Sequence, residues 1–234
     1  MRYEIYSPPP MSQSDLLYQI YTRLQEEYGP QSWWPADTPF EVMLGAILTQ
    51  NTSWTNVEKA MANLREVCEL TPEGILSLTP DRLEEAIRST GYFRQKSARL
   101  RSFCQFLMDR YPGDLSCMRE CDTGELRAEL LSLNGIGPET ADSILLYALQ
   151  GPVFVVDAYT IRLFSRLGLC TEKAKYHEVQ SLFMDNIEHD VQMFNEYHAL
   201  IVLHCKLMCK TKVPLCIECS LRDFCRYGSM GVWE

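Results

Sequence analysis

Apolar positions recur almost throughout the chain at the three- and four-residue spacing of an amphipathic helix. Leu16, Leu17, Ile20, Tyr21 and Leu24 mark a first helix, which Gly29-Pro30 stops. Phe40 to Gln50 is apolar nearly all round and predicts a buried helix. Val57, Met61 and Leu64 mark a third. Leu83, Ala86 and Ile87 mark a fourth, closed by Gly91. Leu100, Phe103, Cys104 and Leu107 mark a fifth, closed by Pro112-Gly113. Leu126, Leu130, Leu131 and Leu133 mark a sixth, closed by Asn134-Gly135. Further helices are predicted to begin at Pro138, Asp157, Glu172 and near Val191. The one strand-like run, Val153–Val156, is too short to build a sheet. The pattern predicts an all-α fold, with residues 1–11 as a loose tail.

Composition narrows the class. A chain of 234 residues, 46% apolar and 23% charged, is ordinary for a globular protein and excludes bulk disorder. No apolar run approaches the roughly 18 residues of a membrane span. The first fifteen residues lack an apolar signal segment. A cytoplasmic protein is therefore expected, where disulfides are not, and the question is whether some of the ten cysteines share a spacing that suits a metal. The net charge of −9 disfavours nucleic acid when taken alone. A segregated basic face reopens that possibility, and Arg94, Lys96, Arg99 and Arg101 supply four cations without an intervening acid.

Four stretches carry candidate chemistry. Cys209, Cys216, Cys219 and Cys225 form a C-x6-C-x2-C-x5-C array, whose four thiolates suit one metal centre. Spacing alone leaves zinc and an iron–sulfur cluster open. In Leu133–Asp142 a helix stops at Gly135, two glycines turn the chain, and Pro138 starts the next helix. Such a hairpin offers backbone amides to a phosphate, although an ordinary helix–helix turn reads the same way. Asp157 sits where an apolar run meets a new helix, as an N-cap or a catalytic carboxylate or both. Trp33-Trp34-Pro35 and Trp54 suit either a base-stacking pocket or a hydrophobic plug.

Taken together, these motifs resemble the endonuclease III superfamily of DNA glycosylases, over roughly residues 14 to 228. Leu48–Thr52 resembles the family segment that inserts a Gln into the duplex. Gly91–Ala98 resembles the family's G-x-[FY]-x-x-K-A element, with Ser97 in place of the usual Ala. His198–Ile201 resembles the helix leading to the cluster loop. The resemblance implies two helical lobes: a six-helix barrel over residues 31–150 with the hairpin, and an iron–sulfur lobe over residues 1–30 and 151–234. It also implies a [4Fe–4S] cluster on Cys209, Cys216, Cys219 and Cys225, and double-stranded DNA with a damaged base bound between the lobes. Asp157 matches the catalytic aspartate. Gln50 matches the wedge, with Asn51 and Thr52 beside it. Gly135, Ile136 and Gly137 match the phosphate hairpin, followed by Glu139 and Thr140.

Members that cleave the backbone carry a lysine where this chain has Glu139, so no Schiff base to C1′ is expected there. Within the superfamily, Trp33-Trp34-Pro35, Leu44–Thr52 and Gly137–Ile144 look like the bacterial 3-methyladenine glycosylases. That likeness implies a base pocket of Trp33, Trp34, Pro35, Trp54 and Lys206. The expected activity is monofunctional excision of alkylated purines by a monomer at the bacterial nucleoid. The rival readings are a bifunctional or mismatch glycosylase acting on oxidised pyrimidines, uracil or thymine, and a non-catalytic iron–sulfur DNA-binding module.

Overall fold

A computed structural model describes residues 11–31, 33–34, 36–112 and 114–230. In chain order the helices are α1 (Gln13–Tyr28), α2 (Pro39–Leu48), α3 (Trp54–Val67), α4 (Pro72–Ser77), α5 (Pro80–Ala86), α6 (Phe93–Arg110), α7 (Thr123–Ser132) and α8 (Pro138–Ser143). They are followed by α9 (Ala158–Leu167), α10 (Tyr176–Met184), α11 (Val191–Leu207) and α12 (Arg226–Ser229). A π-helical turn, Ile144–Ala148, continues α8. No strand occurs among the described residues, and the fold is all-α.

Two compact units divide the chain. One comprises residues 1–31, 156–189 and 196–234; the other comprises 32–155 and 190–195.

The second unit is built around α2. Every residue from Phe40 to Leu48 is buried, and α3, α6, α8 and the π-helical turn all pack on this helix. A shared start signal sets three helices of the unit. Thr38-Pro39, Thr71-Pro72 and Thr79-Pro80 each place a threonine whose hydroxyl accepts from the third helical amide, with proline at the first position. This device reveals α4, which the apolar spacing had not, because its six residues are too few to show a period. Lys96, on α6, is 1% exposed. Its Nζ donates to the carbonyls of Leu48 (2.9 Å) and Thr90 (2.8 Å), satisfying the C-terminal end of α2. Burial, and secondarily Arg99, lowers its pKa to about 8. The basic run is therefore no uniform solvated face. Arg101 donates to the Leu78 carbonyl at 2.8 Å, Arg99 lies over the hairpin, and Arg94 alone of the four is largely exposed.

The two helices of the hairpin are joined by a buried charge pair. Arg127 of α7 donates from Nε and Nη2 to both oxygens of Asp142 on α8, at 2.6 and 3.0 Å, and Asp142 is fully buried.

The first unit centres on an aromatic cluster. Phe164 of α9 packs edge-on against Phe183 of α10 at 4.8 Å, and Phe183 against Tyr197 of α11 at 5.5 Å. The Tyr197 hydroxyl donates to the Leu17 carbonyl of α1. Helix α10 begins at Tyr176 rather than near Glu172. A Thr171–Ala174 turn precedes it, and the Glu178 carboxylate accepts from the Lys175 amide, which fixes the later start. Val153–Val156 runs extended and buried without a strand partner, and delivers the chain to Asp157.

Candidate active site

The hairpin joins α7 to α8 through Leu133–Gly137. Gly135 has φ +84°, a conformation that favours glycine. A Cβ there would lie 2.2 Å from Arg99 Nε, so the arginine stem covers the glycine directly. Gly137 has open space where its Cβ would be. Ile136 is buried in the core, and its amide donates to the Leu133 carbonyl. Its side chain thus anchors the turn. The amides of Gly135 and Gly137 have no protein acceptor among the described residues.

Gln50, just beyond α2, is tied to this turn. Its Nε2 donates to the Gly135 carbonyl (3.0 Å) and to Thr140 Oγ1 (2.9 Å), while Arg99 Nη1 donates to its Oε1 (2.5 Å). A glutamine that enters a duplex must first leave these three partners. Asn51 is exposed with φ +53°, and Thr52 Oγ1 accepts from Asn56. Glu139 is exposed in the first turn of α8.

These contacts predict a contrast between the two glycines. In Gly135→Ala, the positive φ costs about 1–3 kcal/mol, and the new methyl displaces Arg99 and strains the turn. Affinity for an undamaged duplex, measured by fluorescence anisotropy, is expected to fall about tenfold, one decade being about 1.4 kcal/mol. Gly137→Ala has room and an ordinary φ, so its unfolding midpoint is expected to match the parent's. Unchanged affinity in Gly135→Ala would separate the turn from DNA binding.

Asp157 caps α9. Its Oδ1 accepts from the Thr160 amide (2.7 Å) and the Thr160 hydroxyl (2.9 Å) in a reciprocal capping box. Its Oδ2 lies 3.6 Å from Nε2 of the buried His198 on α11. The Asp157 side chain keeps 13% of its surface open. Burial alone raises the carboxyl pKa, but His198 and the Thr160 donors outweigh it and hold the group below its ordinary value, ionised. N-cap and reactive carboxylate are thus compatible. His198 escaped the sequence reading as a partner, because it stands two helices further along and nothing in its neighbours marks the contact.

Trp33, Trp34 and Trp54 meet in one cluster. Trp34 packs edge-on against Trp33 (centroids 6.0 Å) and Trp54 (5.0 Å), and Tyr147 of the π-helical turn joins at 5.1 Å. Tyr147 had no sequence signal of its own. Trp34 and Trp54 line a cavity of about 100 Å³ with Gly45, Met61 and the Glu41–Arg65 ion pair (2.6 Å). Pro35 lies outside the described residues. Lys206 is exposed in the last turn of α11, in the other unit from the tryptophans.

Cys209, Cys216, Cys219 and Cys225 line one pocket with His204, Arg166 and Tyr227. Arg166 Nη1 donates to Cys209 Sγ (3.2 Å), the Gly228 amide donates to Cys225 Sγ (3.2 Å), and His204 Nε2 lies 3.5 Å from Cys219 Sγ. Arg162 and Arg166 of α9 also hold the loop carbonyls of Cys209, Lys210 and Thr211. Among the described residues no three His, Cys, Asp or Glu side chains converge closely enough for a single metal ion. The N–H donors at Cys209 and Cys225 sulfur suit thiolates that ligate a metal centre. None of the ten cysteines forms a disulfide.

Residues 44–189 match the family described as HhH-GPD superfamily base excision DNA repair protein, and the chain belongs to that family. A provisionally named DNA repair glycosylase of Methanocaldococcus jannaschii is 51% identical over 213 residues, covering 90% of this chain and 96% of the relative. Among solved structures, an endonuclease III trapped as a covalent DNA intermediate is similar, with TM-score 0.81 and 26% identity over 94% of this chain and 99% of the other. The H. pylori 3-methyladenine DNA glycosylase bound to 1,N6-ethenoadenine has TM-score 0.72 and 28% identity over 84% and 98%. The protein is accordingly an endonuclease III-like DNA glycosylase of base excision repair, and DNA is its partner. No helix among the described residues is long and apolar enough to cross a membrane.

Proposed function

We propose that the chain is a monofunctional glycosylase for alkylated purines such as 3-methyladenine, hydrolysing the N-glycosidic bond and leaving an abasic site. The observation that carries this reading is an ionised, immobilised Asp157 in a chain with Glu139 at the hairpin position where backbone-cleaving members hold an amine. Departure of the base passes through an oxocarbenium-like sugar. A fixed carboxylate stabilises that cation and accepts a proton from the attacking water. A purine alkylated at N3 or N7 is already cationic and leaves without a strong acid. The indole faces of Trp33, Trp34 and Trp54 suit such a base, each cation–π contact contributing about 0.5–2 kcal/mol. The similarity to an alkylpurine glycosylase from H. pylori supports the same substrate class. In this reading Pro35 and Lys206 are also assigned to recognition of the base. Gln50, with Asn51 and Thr52, fills the gap left by the extruded base, and the Gly135–Gly137 turn with Glu139 and Thr140 meets the phosphates. The protein acts as a monomer on chromosomal DNA in the cytoplasm, with a barrel lobe over 31–150 and a cluster lobe formed by 1–30 and 151–234.

The test is a panel of duplexes bearing 3-methyladenine, an oxidised pyrimidine, uracil or mismatched thymine, incubated with and without alkali. Release of the alkylated purine, with strands intact until alkali is added, is the expected result. Strand cleavage without alkali at an oxidised pyrimidine would favour the endonuclease III type of reaction instead.

In the same reading Cys209, Cys216, Cys219 and Cys225 hold a [4Fe–4S] cluster, which supplies a cross-link for the loop after α11. Protein purified without oxygen is expected to be brown and to contain about four irons and four sulfides per chain. Cys219→Ser is expected to lose the colour and lower the unfolding midpoint. A colourless protein with one zinc would contradict the cluster.

A further inference from the structure

We infer that His198 is a positioning residue for Asp157, its Nε2 setting the orientation and charge of Oδ2 while the capping box holds Oδ1. This rests on the reading of Asp157 as the reacting carboxylate. Two donors from Thr160 occupy Oδ1, so the carboxylate cannot rotate to exchange its oxygens without losing the helix cap. Oδ2 is therefore the atom left for the sugar and the attacking water. His198 Nε2 stands 3.6 Å from it, too long for a settled hydrogen bond and close enough for a small shift to make one. Contacts of this kind tighten when substrate completes a site. The imidazole is buried on α11, next to the fully buried Tyr197, so it cannot swing away into solvent. Cys205, also on α11, is a further titratable group that senses Asp157, and its thiol donates to the Tyr159 carbonyl at 3.4 Å. An Nε2–H donor at Oδ2 keeps the carboxylate anionic before the reaction and aims it at one point.

The test compares His198→Leu, which keeps bulk and removes the donor, with His198→Gln, which restores an N–H near the same place. Three quantities are read: single-turnover release from a 3-methyladenine duplex, affinity for a duplex with a tetrahydrofuran abasic analogue, and the Asp157 carboxyl titration by ¹³C NMR in DNA-free protein. His198→Leu is expected to slow release about 10- to 100-fold, with analogue affinity unchanged. Its carboxyl titration is expected to move up by about one pH unit. His198→Gln is expected to recover most of both. Wild-type rate and titration in His198→Leu would overturn the inference, as would a folded His198→Gln no better than Leu. If His198→Leu does not fold, the Gln and Asn variants carry the comparison: near-parental rate and titration in Gln, with a deficit in the shorter Asn, are expected, and no difference between them overturns it. The titration needs no lesion. A wild-type protein inert on methylated DNA would therefore sink the substrate reading without touching this one.

Discussion

Asp157→Asn is expected to bind lesion DNA as tightly as the parent and to release base roughly a thousandfold more slowly. Asparagine caps helices about as well as aspartate, so the Thr160 amide keeps an acceptor and α9 keeps its start. The amide carries no charge to set against the oxocarbenium ion and takes no proton from water. Loss of a positioned base alone costs about 10²–10⁴-fold, and loss of the anion adds to it. The measurement is single-turnover release on a 3-methyladenine duplex beside an equilibrium binding curve. Parental rates in a folded Asp157→Asn would remove Asp157 from the chemistry.

Arg127→Met is expected to produce the largest loss of stability. The guanidinium holds both oxygens of a fully buried carboxylate on the facing helix of the hairpin. Removing one partner of a buried pair costs about 3–5 kcal/mol, because the remaining charge stays desolvated. Arg127 itself keeps 29% of its side chain exposed, which argues for the lower end, near about 3 kcal/mol. For a domain of this size the melting temperature falls about 2–4 °C per kcal/mol, so a drop of about 6–12 °C is expected by calorimetry. Arg127→Met with Asp142→Asn should recover part of it, since the stranded charge is gone. Weaker duplex binding is expected in the single variant, the hairpin being what the pair holds in shape. A melting temperature within a degree or two of the parent would show that the hairpin does not depend on the pair.

Much of this architecture was legible from local chemistry. The all-apolar run through α2 announced its central place, because a helix buried on every side has no polar face to show. Gly29, Gly91 and the Asn134-Gly135 turn ended helices where a left-handed or otherwise special backbone was required. The place of Asp157 as the N-cap of α9 followed from its position between an apolar run and a helix start. What stayed hidden depends on contacts far apart in sequence. Lys96 belonged to a run of cations that reads as one basic face, yet the end of α2 needs a donor, and Lys96 reaches it. Arg99 and Gln50 lie on different helical segments, and only folding shows that one holds the other against the hairpin. The four cysteines were plain from spacing, but the two arginines of α9 that hold their loop were not. Helix α4 was missed for a different reason: its Thr-Pro start was visible, but its single apolar turn was too short to count.

The central claim is that a fixed carboxylate hydrolyses a bond to an already cationic purine, with no amine intermediate. Its most direct measurement is base release from randomly methylated duplex DNA, with the products identified by mass spectrometry and the strands sized before and after alkali. Free 3-methyladenine together with strands that break only in alkali is the predicted result. No methylated purine in the supernatant, or strands already cut before alkali, would contradict it.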